Sequence, residues 1–495
     1  MRLTRIMEGI EYRLSGGSAD PEITGLAYDS RKVKPGDLFI CVKGLKIDGH
    51  QYIEQALKNG ASALLAEREI LPVPGQVTVL VTKDTRKAMA KMAANFFAHP
   101  SRQLKVIGVT GTNGKTTTTH LIKAILQENG ARVGIMGTLY AKIGSVELNL
   151  GHTTPEALEI QEFMHLVGQE NGEYLVMEVS SHALDWGRVD QIDFHSAVFT
   201  NLTQDHLDYH LTMERYRDAK LKLFSGLAGS AGAFAVVNAD DPSADAFKAA
   251  TAAECVTYGI DCAADVQAKD IVTNLKGTSF TAIRGDISLD LNMKMIGRFS
   301  VYNALAAIAF AMREGVAPAT IKTALENIEG VPGRFEPVDC GQEFTVVVDY
   351  AHTPDGLENI LRTAREIKEN RLITVFGCGG DRDKGKRPLM GKIAARYSDF
   401  SIVTSDNPRS EEPEAIIDDI IPGLMAIENS HYAKIVDRRE AIHQAIHLAR
   451  KGDLVIIAGK GHETYQLVKD QVLPFDDRLV AREFLQERLS HENDH

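Results

Sequence analysis

Apolar runs and amphipathic segments divide the chain into three stretches. Up to residue 100, ITGLAY, GDLFICV, ALLAE and VTVLVT predict short strands, and 52–59, closed by Gly60, predicts a helix. The segment AMAKMAANFFAHPSR reads as a helix stopped near Pro100, which cannot continue the hydrogen-bond ladder, and a boundary fits there. From 101 to 332, LKVIGVT, RVGIMGT, YLVMEVS, SAVFTNL and AFAVVNAD alternate with helical segments. That is the pattern of a parallel sheet wrapped by helices. IEGVPGRFEPV, rich in proline and glycine, marks a second boundary. From 333 to 495, TVVVDYAH, LITVFGCG, FSIVTSD and DLVIIAGKG repeat the alternation. The expectation is an α/β chain of three domains, 1–100, 101–332 and 333–495.

A chain of 495 residues has room for several domains, and its 44% hydrophobic and 25% charged residues are ordinary for a globular protein. The longest apolar stretch, 304–312, falls well short of the roughly 20 residues that a membrane span needs. The start, MRLTRIMEGIEYRL, lacks the continuous apolar core of a secretory signal. Neither membrane insertion nor export is expected. A net charge of −12 without a Lys/Arg-rich block argues against a nucleic-acid partner, and leaves room for a local basic pocket. Cys41, Cys255, Cys262, Cys340 and Cys378 are widely spaced and form no CxxC. They read as buried thiols of a reducing cytoplasm rather than zinc ligands or disulfides.

The strongest chemical signal is GTNGKTT at 111–117. It follows the run 104–110 and opens a helix expected over 116–129, capped by Gly130. Strand, glycine loop and helix make a cradle for phosphate. Gly111 and Gly114 let backbone N–H groups turn onto an anion. Lys115 reaches phosphates, Thr116 suits a magnesium ion, and the helix N-terminus adds its dipole. Val109 stands where the usual pattern has a glycine, so the loop is a variant.

Glu178 ends the run YLVMEV, at the strand end where ligands of α/β sheets sit, and suits a magnesium carboxylate. NLTQDHLDYH at 201–210 brings two aspartates and two histidines into one loop, suited to metal binding or acid–base work. On the next helix Met213, Tyr216, Lys220, Leu223 and Leu227 form one stripe. A lysine there needs a partner or a lost charge, unless it snorkels to solvent. Four further loops follow strands: DYAHTPD at 349–355, GCGGDRDK at 377–384, TSDNPR at 404–409 and GKGHE at 459–463. All can meet on one rim. Arg382 stands where a dinucleotide motif needs its third glycine, so no such site is expected. Arg382 and Arg409 are fork-shaped donors suited to carboxylates.

GTNGKTT, MEVSSHAL, NLTQDHLDYH, GRFSVYNALAA, PGRFE, VDYAHTPD, GGDRDKGKRP, SDNPRSEEP and AGKGHE, in this order over about residues 24–463, resemble the Mur ligases. The resemblance implies a domain for the UDP end of a substrate, a central P-loop parallel-sheet ATPase domain, and a C-terminal Rossmann-like domain that brings an amino acid. It implies a cytoplasmic, monomeric ligase of peptidoglycan precursor synthesis that uses ATP and Mg2+. The reaction implied adds meso-2,6-diaminopimelate to the D-glutamate of UDP-N-acetylmuramoyl-L-alanyl-D-glutamate through an acyl phosphate.

By motif, Gly111, Thr112, Asn113, Gly114, Lys115, Thr116 and Thr117 would hold the ATP phosphates. Asn303 would meet the adenine, and Arg334 and Asp349 the nucleotide from the hinge and C-terminal domain. Thr116 and Glu178 would hold one Mg2+. His206 and Lys220, the latter as a carbamate formed with CO2, would support a second. Lys115, Lys220 and His206 would be the catalytic set. Ser30, Thr153, Thr154, Ser180 and Arg188 would hold the UDP substrate, and Trp186 stands where relatives often carry a polar residue. Arg382, Asp406, Asn407, Pro408, Arg409, Gly459 and Glu463 would hold diaminopimelate, with Arg409 on its distal carboxylate. A lysine-adding relative, a folylpolyglutamate synthetase and a transport-type P-loop ATPase are the competing readings. GHTT, SSHAL and DNPR speak against the second.

Overall fold

The computed structural model describes residues 1–18, 20–44, 47–70, 76–227 and 232–493. The apolar runs of the first hundred residues build a five-stranded sheet from Arg13–Gly16, Leu26–Ala27, Leu38–Ile40, Ala63–Ala66 and Thr78–Val81, parallel except for the first. Helix Thr85–Phe96 starts at Asp84, whose carboxylate accepts the Arg86 and Lys87 N–H groups, and lays Met89, Met92 and Ala93 on the sheet. Pro100 does not end this helix, contrary to the sequence reading. Ala98 and His99 take left-handed backbone first, and Pro100 opens a separate 3-10 turn.

The second sheet has eleven strands. Lys105–Thr110 lies between Tyr174–Glu178 and Phe194–Phe199, and the strands from Val133–Met136 across to Val266–Asn274 run parallel. The parallel sheet read from the sequence is present at the centre, and antiparallel strands extend it at both edges. Ala141–Ile143 pairs antiparallel with Val146–Leu148 on one side, and Gly277–Arg284 with Ile287–Met293 on the other. Ile287–Met293 alternates between exposed and buried positions. A sheet wetted on one face carries a weaker apolar signal than a doubly covered one. Helices Lys115–Glu128 and Arg298–Arg313 pack together over one face, the second buried on nearly every side.

The third sheet orders its strands Glu336–Pro337, Thr345–Asp349, Leu454–Ala458, Leu372–Phe376, Phe400–Val403 and Tyr432–Lys434, parallel after the first pair. Apolar layers cover both faces. A hairpin of Tyr465–Val468 and Gln471–Pro474, not foreseen in the sequence, stands beside it. All five cysteines are free. Cys41 and Cys378 are buried as read, but Cys262 is exposed.

Candidate functional site

The glycine loop leaves the C-terminal end of Lys105–Thr110, where the neighbouring strands diverge in connection and open a crevice. Gly111 and Gly114 have φ of 153° and 87°. A Cβ at Gly111 would lie 1.9 Å from Thr200 Oγ1, and one at Gly114 2.3 Å from Asn303 Oδ1, so only glycine fits. The next strand's loop pins it. The Thr112 N–H donates to Asn201 O (2.9 Å), the Asn113 N–H to Asn201 Oδ1 (2.9 Å), and the Thr200 hydroxyl to Asn113 O (2.7 Å).

Lys115 folds back, its Nζ donating to Gly111 O (2.9 Å) and Thr112 O (2.8 Å). Lys220 is buried on the stripe read from sequence. Its Nζ donates to Gly111 O (2.8 Å) and lies 4.5 Å from the Tyr216 ring centre, so it does not snorkel. Burial, then the charge of Lys115, pushes its pKa well below the ordinary lysine value. Burial lowers Lys115 too, against the pull of Glu178 and Asp205.

Glu178, buried at its strand end, accepts the Thr138 N–H (2.8 Å) and hydroxyl (3.0 Å). Thr116 Oγ1 accepts from Arg334 Nη2 (2.9 Å), while Arg334 Nη1 is buried without a protein partner, a donor aimed where an anion would satisfy it. His206 has a left-handed φ of 55° and sits 3.3 Å from Asp205 Oδ2. Burial drives its pKa down to about 3 despite Asp205, leaving a neutral imidazole at pH 7. Burial acts to raise Asp205, but His206 and Lys386 hold it below the usual carboxylate range. Among the described residues no group of three or more His, Cys, Asp or Glu is set to hold a metal. Thr116 and Glu178 border one cavity with oxygen donors, which suits a hard cation that keeps phosphate and water as its other ligands.

That cavity, of about 440 Å³, is lined by Thr112, Asn113, Gly114, Lys115, Thr116, Thr117, Glu178, His206, Asn303, Arg334 and Asp349, with Arg298, Tyr302 and Asp240 farther along. Asn303 Oδ1 accepts the Thr118 hydroxyl (3.3 Å). Both Asp349 oxygens accept backbone N–H groups, from Phe335 (2.6 Å) and Ala351 (2.7 Å), and so fix the hinge. Among the described residues, side-chain bonds that join the second sheet's loops to the third's include Arg334 to Thr116, Asn113 Nδ2 to Asp355 Oδ2 (2.7 Å), the Thr353 hydroxyl to Asn113 Oδ1 (3.4 Å), and Gln204 Nε2 to Asp383 Oδ2 (3.1 Å). Lys386 escaped the sequence reading because DRDKGKRP looks like a solvated charge run. Its side chain is buried, and its Nζ donates to His352 O (2.9 Å).

Thr153, Thr154, Ser180 and Arg188 gather at the end of Tyr174–Glu178. The Thr154 hydroxyl donates to Glu178 O (2.9 Å) and accepts the Ser180 N–H (3.0 Å), and Arg188 Nη1 donates to Thr154 O (2.9 Å). Arg188 and Arg86 both pair with Glu156 (2.9 and 2.6 Å) and both lie over the Trp186 ring (4.8 and 5.1 Å). Trp186 is therefore a platform for two guanidiniums. Ser30 is buried in a 3-10 turn beside the five-stranded sheet.

The last loops do meet. The Gly380 N–H donates to Asn407 O (2.9 Å), and Arg409 Nη1 to Gly380 O (2.8 Å). Asn407 Nδ2 and Lys460 Nζ both donate to Glu463 Oε2 (2.8 and 3.0 Å). Arg409 is half-buried, and burial followed by the nearby Arg382 lowers its pKa. Burial, then Asp406, raises Glu463. Pro408 carries its carbonyl against Gly380, and a Cβ at Gly459 would lie 2.4 Å from Asp406 Oδ2. Two arginines beside two carboxylates suit a ligand with both charges.

Residues 22–97 match the Mur ligase family catalytic domain, 109–311 the Mur ligase middle domain, and 333–461 the Mur ligase glutamate ligase domain. A UDP-N-acetylmuramoyl-L-alanyl-D-glutamate–2,6-diaminopimelate ligase of Syntrophomonas wolfei is 60% identical over 489 residues, covering 99% of this chain and 100% of the relative. The protein of the same name from Bacillus cereus is 48% identical, with 96% of each chain covered. A solved structure of a ligase of that name is similar at a TM-score of 0.65 and 35% identity, covering 94% of this chain and 95% of that one.

Proposed function

Because the chain belongs to the Mur ligase family, we propose that it joins meso-2,6-diaminopimelate to the D-glutamate of UDP-N-acetylmuramoyl-L-alanyl-D-glutamate, cleaving ATP to ADP and phosphate. A carboxylate resists attack by an amine. Transfer of the γ-phosphoryl group makes it an acyl phosphate, and the amine then forms the amide and releases phosphate. Lys115 and the N–H groups at the start of its helix offset phosphoryl charge, and Arg334 Nη1 adds a donor from the hinge. Thr116 and Glu178 would hold one Mg2+, and His206 with carbamylated Lys220 a second, each cation neutralising charge on the phosphoryl oxygens. Burial that lowers a lysine's pKa suits that modification, since a free amine nitrogen adds to CO2 and gives up a proton.

Asn303, Arg334 and Asp349 line the nucleotide's cavity, Ser30, Thr153, Thr154, Ser180 and Arg188 serve the UDP substrate, and Arg382, Asp406, Asn407, Pro408, Arg409, Gly459 and Glu463 serve the amino acid. The reading takes the protein as a cytoplasmic monomer of three domains, 1–100, 101–332 and 333–495. The observation that carries the choice of amino acid is the pairing of Arg382 and Arg409 next to Asp406 and Glu463. The test is phosphate release with ATP and the UDP-linked dipeptide. Release that depends on meso-diaminopimelate supports the reading, and release indifferent to any amino acid overturns it.

A further inference from the structure

The hairpin Tyr465–Val468 and Gln471–Pro474 adds no side chain to the apolar layers of the third sheet, and Val472 is 67% exposed. It holds the loop 406–409 instead. Gln466 Nε2 donates to Asp406 O (2.6 Å), the Leu467 N–H to Asn407 Oδ1 (2.9 Å), and the Arg409 N–H to Leu467 O (3.0 Å). Arg409 and Val468 form a parallel bridge, closed by the Lys469 N–H on Arg409 O (2.6 Å). The loop lies along the hairpin like a short third strand.

Arg409 needs that support. Its φ of 52° is a conformation unfavourable to a residue with a side chain, and it persists only where the surroundings impose it. The hairpin also reaches the other end of the site. Asn407, held at Oδ1 by Leu467, turns Nδ2 onto Glu463. One element thus sets both the guanidinium and the carboxylate.

We propose that Gln466 is a positioning residue: by holding Asp406 it fixes the reach between Arg409 and Glu463, and so favours an amino acid whose far end carries a carboxylate and an ammonium over one with the ammonium alone. The proposal rests on the amino-acid reading of this site given above. Gln466→Leu and Gln466→Glu both remove the donor at nearly constant size, and Val472→Thr, on the exposed strand, is the control. In either Gln466 variant, KM for diaminopimelate should rise about three- to tenfold, the effect of one lost hydrogen bond. The diaminopimelate-to-lysine ratio of kcat/KM should fall by the same factor. KM for ATP and for the UDP substrate, kcat and the thermal midpoint should stay at wild-type values, and Val472→Thr should match wild type throughout. An unchanged KM for diaminopimelate, parallel rises in all three KM values, or a midpoint lowered in both Gln466 variants overturns the proposal. A wild type whose phosphate release ignores diaminopimelate overturns the reading of the whole site, a result separate from these.

Discussion

Lys115 and Lys220 donate to the same carbonyl, that of Gly111, at 2.9 and 2.8 Å. Two buried ammonium groups at such range disfavour each other's charge. Asp205 supports both charges and Glu178 that of Lys115, whereas Lys115 itself acts against Lys220. Of the two, Lys220 is shifted well below the ordinary lysine value. A buried amine beside the phosphate loop, disfavoured as a cation, suits reaction with CO2.

Lys220→Ala should therefore be almost inactive in amide formation. Short-chain carboxylates should restore part of the activity by standing in for the carbamate. The check is initial rate with and without added acetate. A wild-type rate in the variant would leave Lys220 as a packing residue only.

Lys115→Ala should lose roughly 10²- to 10³-fold in turnover, the scale of removing one preorganised donor from a developing charge. Phosphate release by the folded variant, with folding judged from circular dichroism, measures it. Turnover close to wild type would take Lys115 out of phosphoryl transfer.

Arg409→Ala should abolish most diaminopimelate use. With lysine bound to wild type, the half-buried guanidinium lacks its anion, a penalty of roughly 1–3 kcal/mol or more, so diaminopimelate should be preferred by at least about tenfold. kcat/KM for both amino acids, in wild type and variant, is the measurement. Equal use of lysine by the wild type would move the chain to the lysine-adding branch.

Glu314 ties the second sheet's strand starts together, accepting from Lys105, from Tyr174 (2.9 Å) and from His195 (2.8 Å). Burial works to raise its pKa, but His195 and Lys105 hold it at about 2, below the ordinary 4.5. A lowered folded-state pKa adds stability above pH 4.5 that is lost as pH falls toward 2. After screening, Glu314→Gln should lower stability at pH 7 by about 1 kcal/mol, and the gap should narrow below pH 4.5. Urea unfolding at several pH values tests this. A gap independent of pH would show that charge is not its source.

The doubly covered strands and the glycine loop are legible in the sequence because their chemistry is local. Val106, Ile107 and Val109 are buried on both faces, and Gly111 and Gly114 serve positions that only glycine can take. Lys220 is legible because one polar residue interrupts an apolar stripe. What escapes depends on how distant segments pack. Arg334 meets Thr116 across 218 positions of sequence, and Lys386 is buried only because its helix start packs against the loop of His352. The hairpin at 465–474 escapes for another reason: its outward residues carry no periodic apolar signal, since its partner is a loop rather than a core.

Arg334–Thr116 and Asn113–Asp355 bridge the walls of the cavity, and Gln204–Asp383 joins the same two sets of loops outside it, so release of ADP is expected to be coupled to their breaking. Each is worth about 1 kcal/mol, yet they must part together. The expected consequence is that a bound nucleotide dwells longer while these contacts hold. Loosening the clasp at Gln204, away from the phosphates, should shorten that dwell: Gln204→Ala would release ADP sooner in a stopped-flow chase and hold it less tightly at equilibrium. In this enzyme speed and grip would be set by the same contacts, and one could be gained only by yielding some of the other.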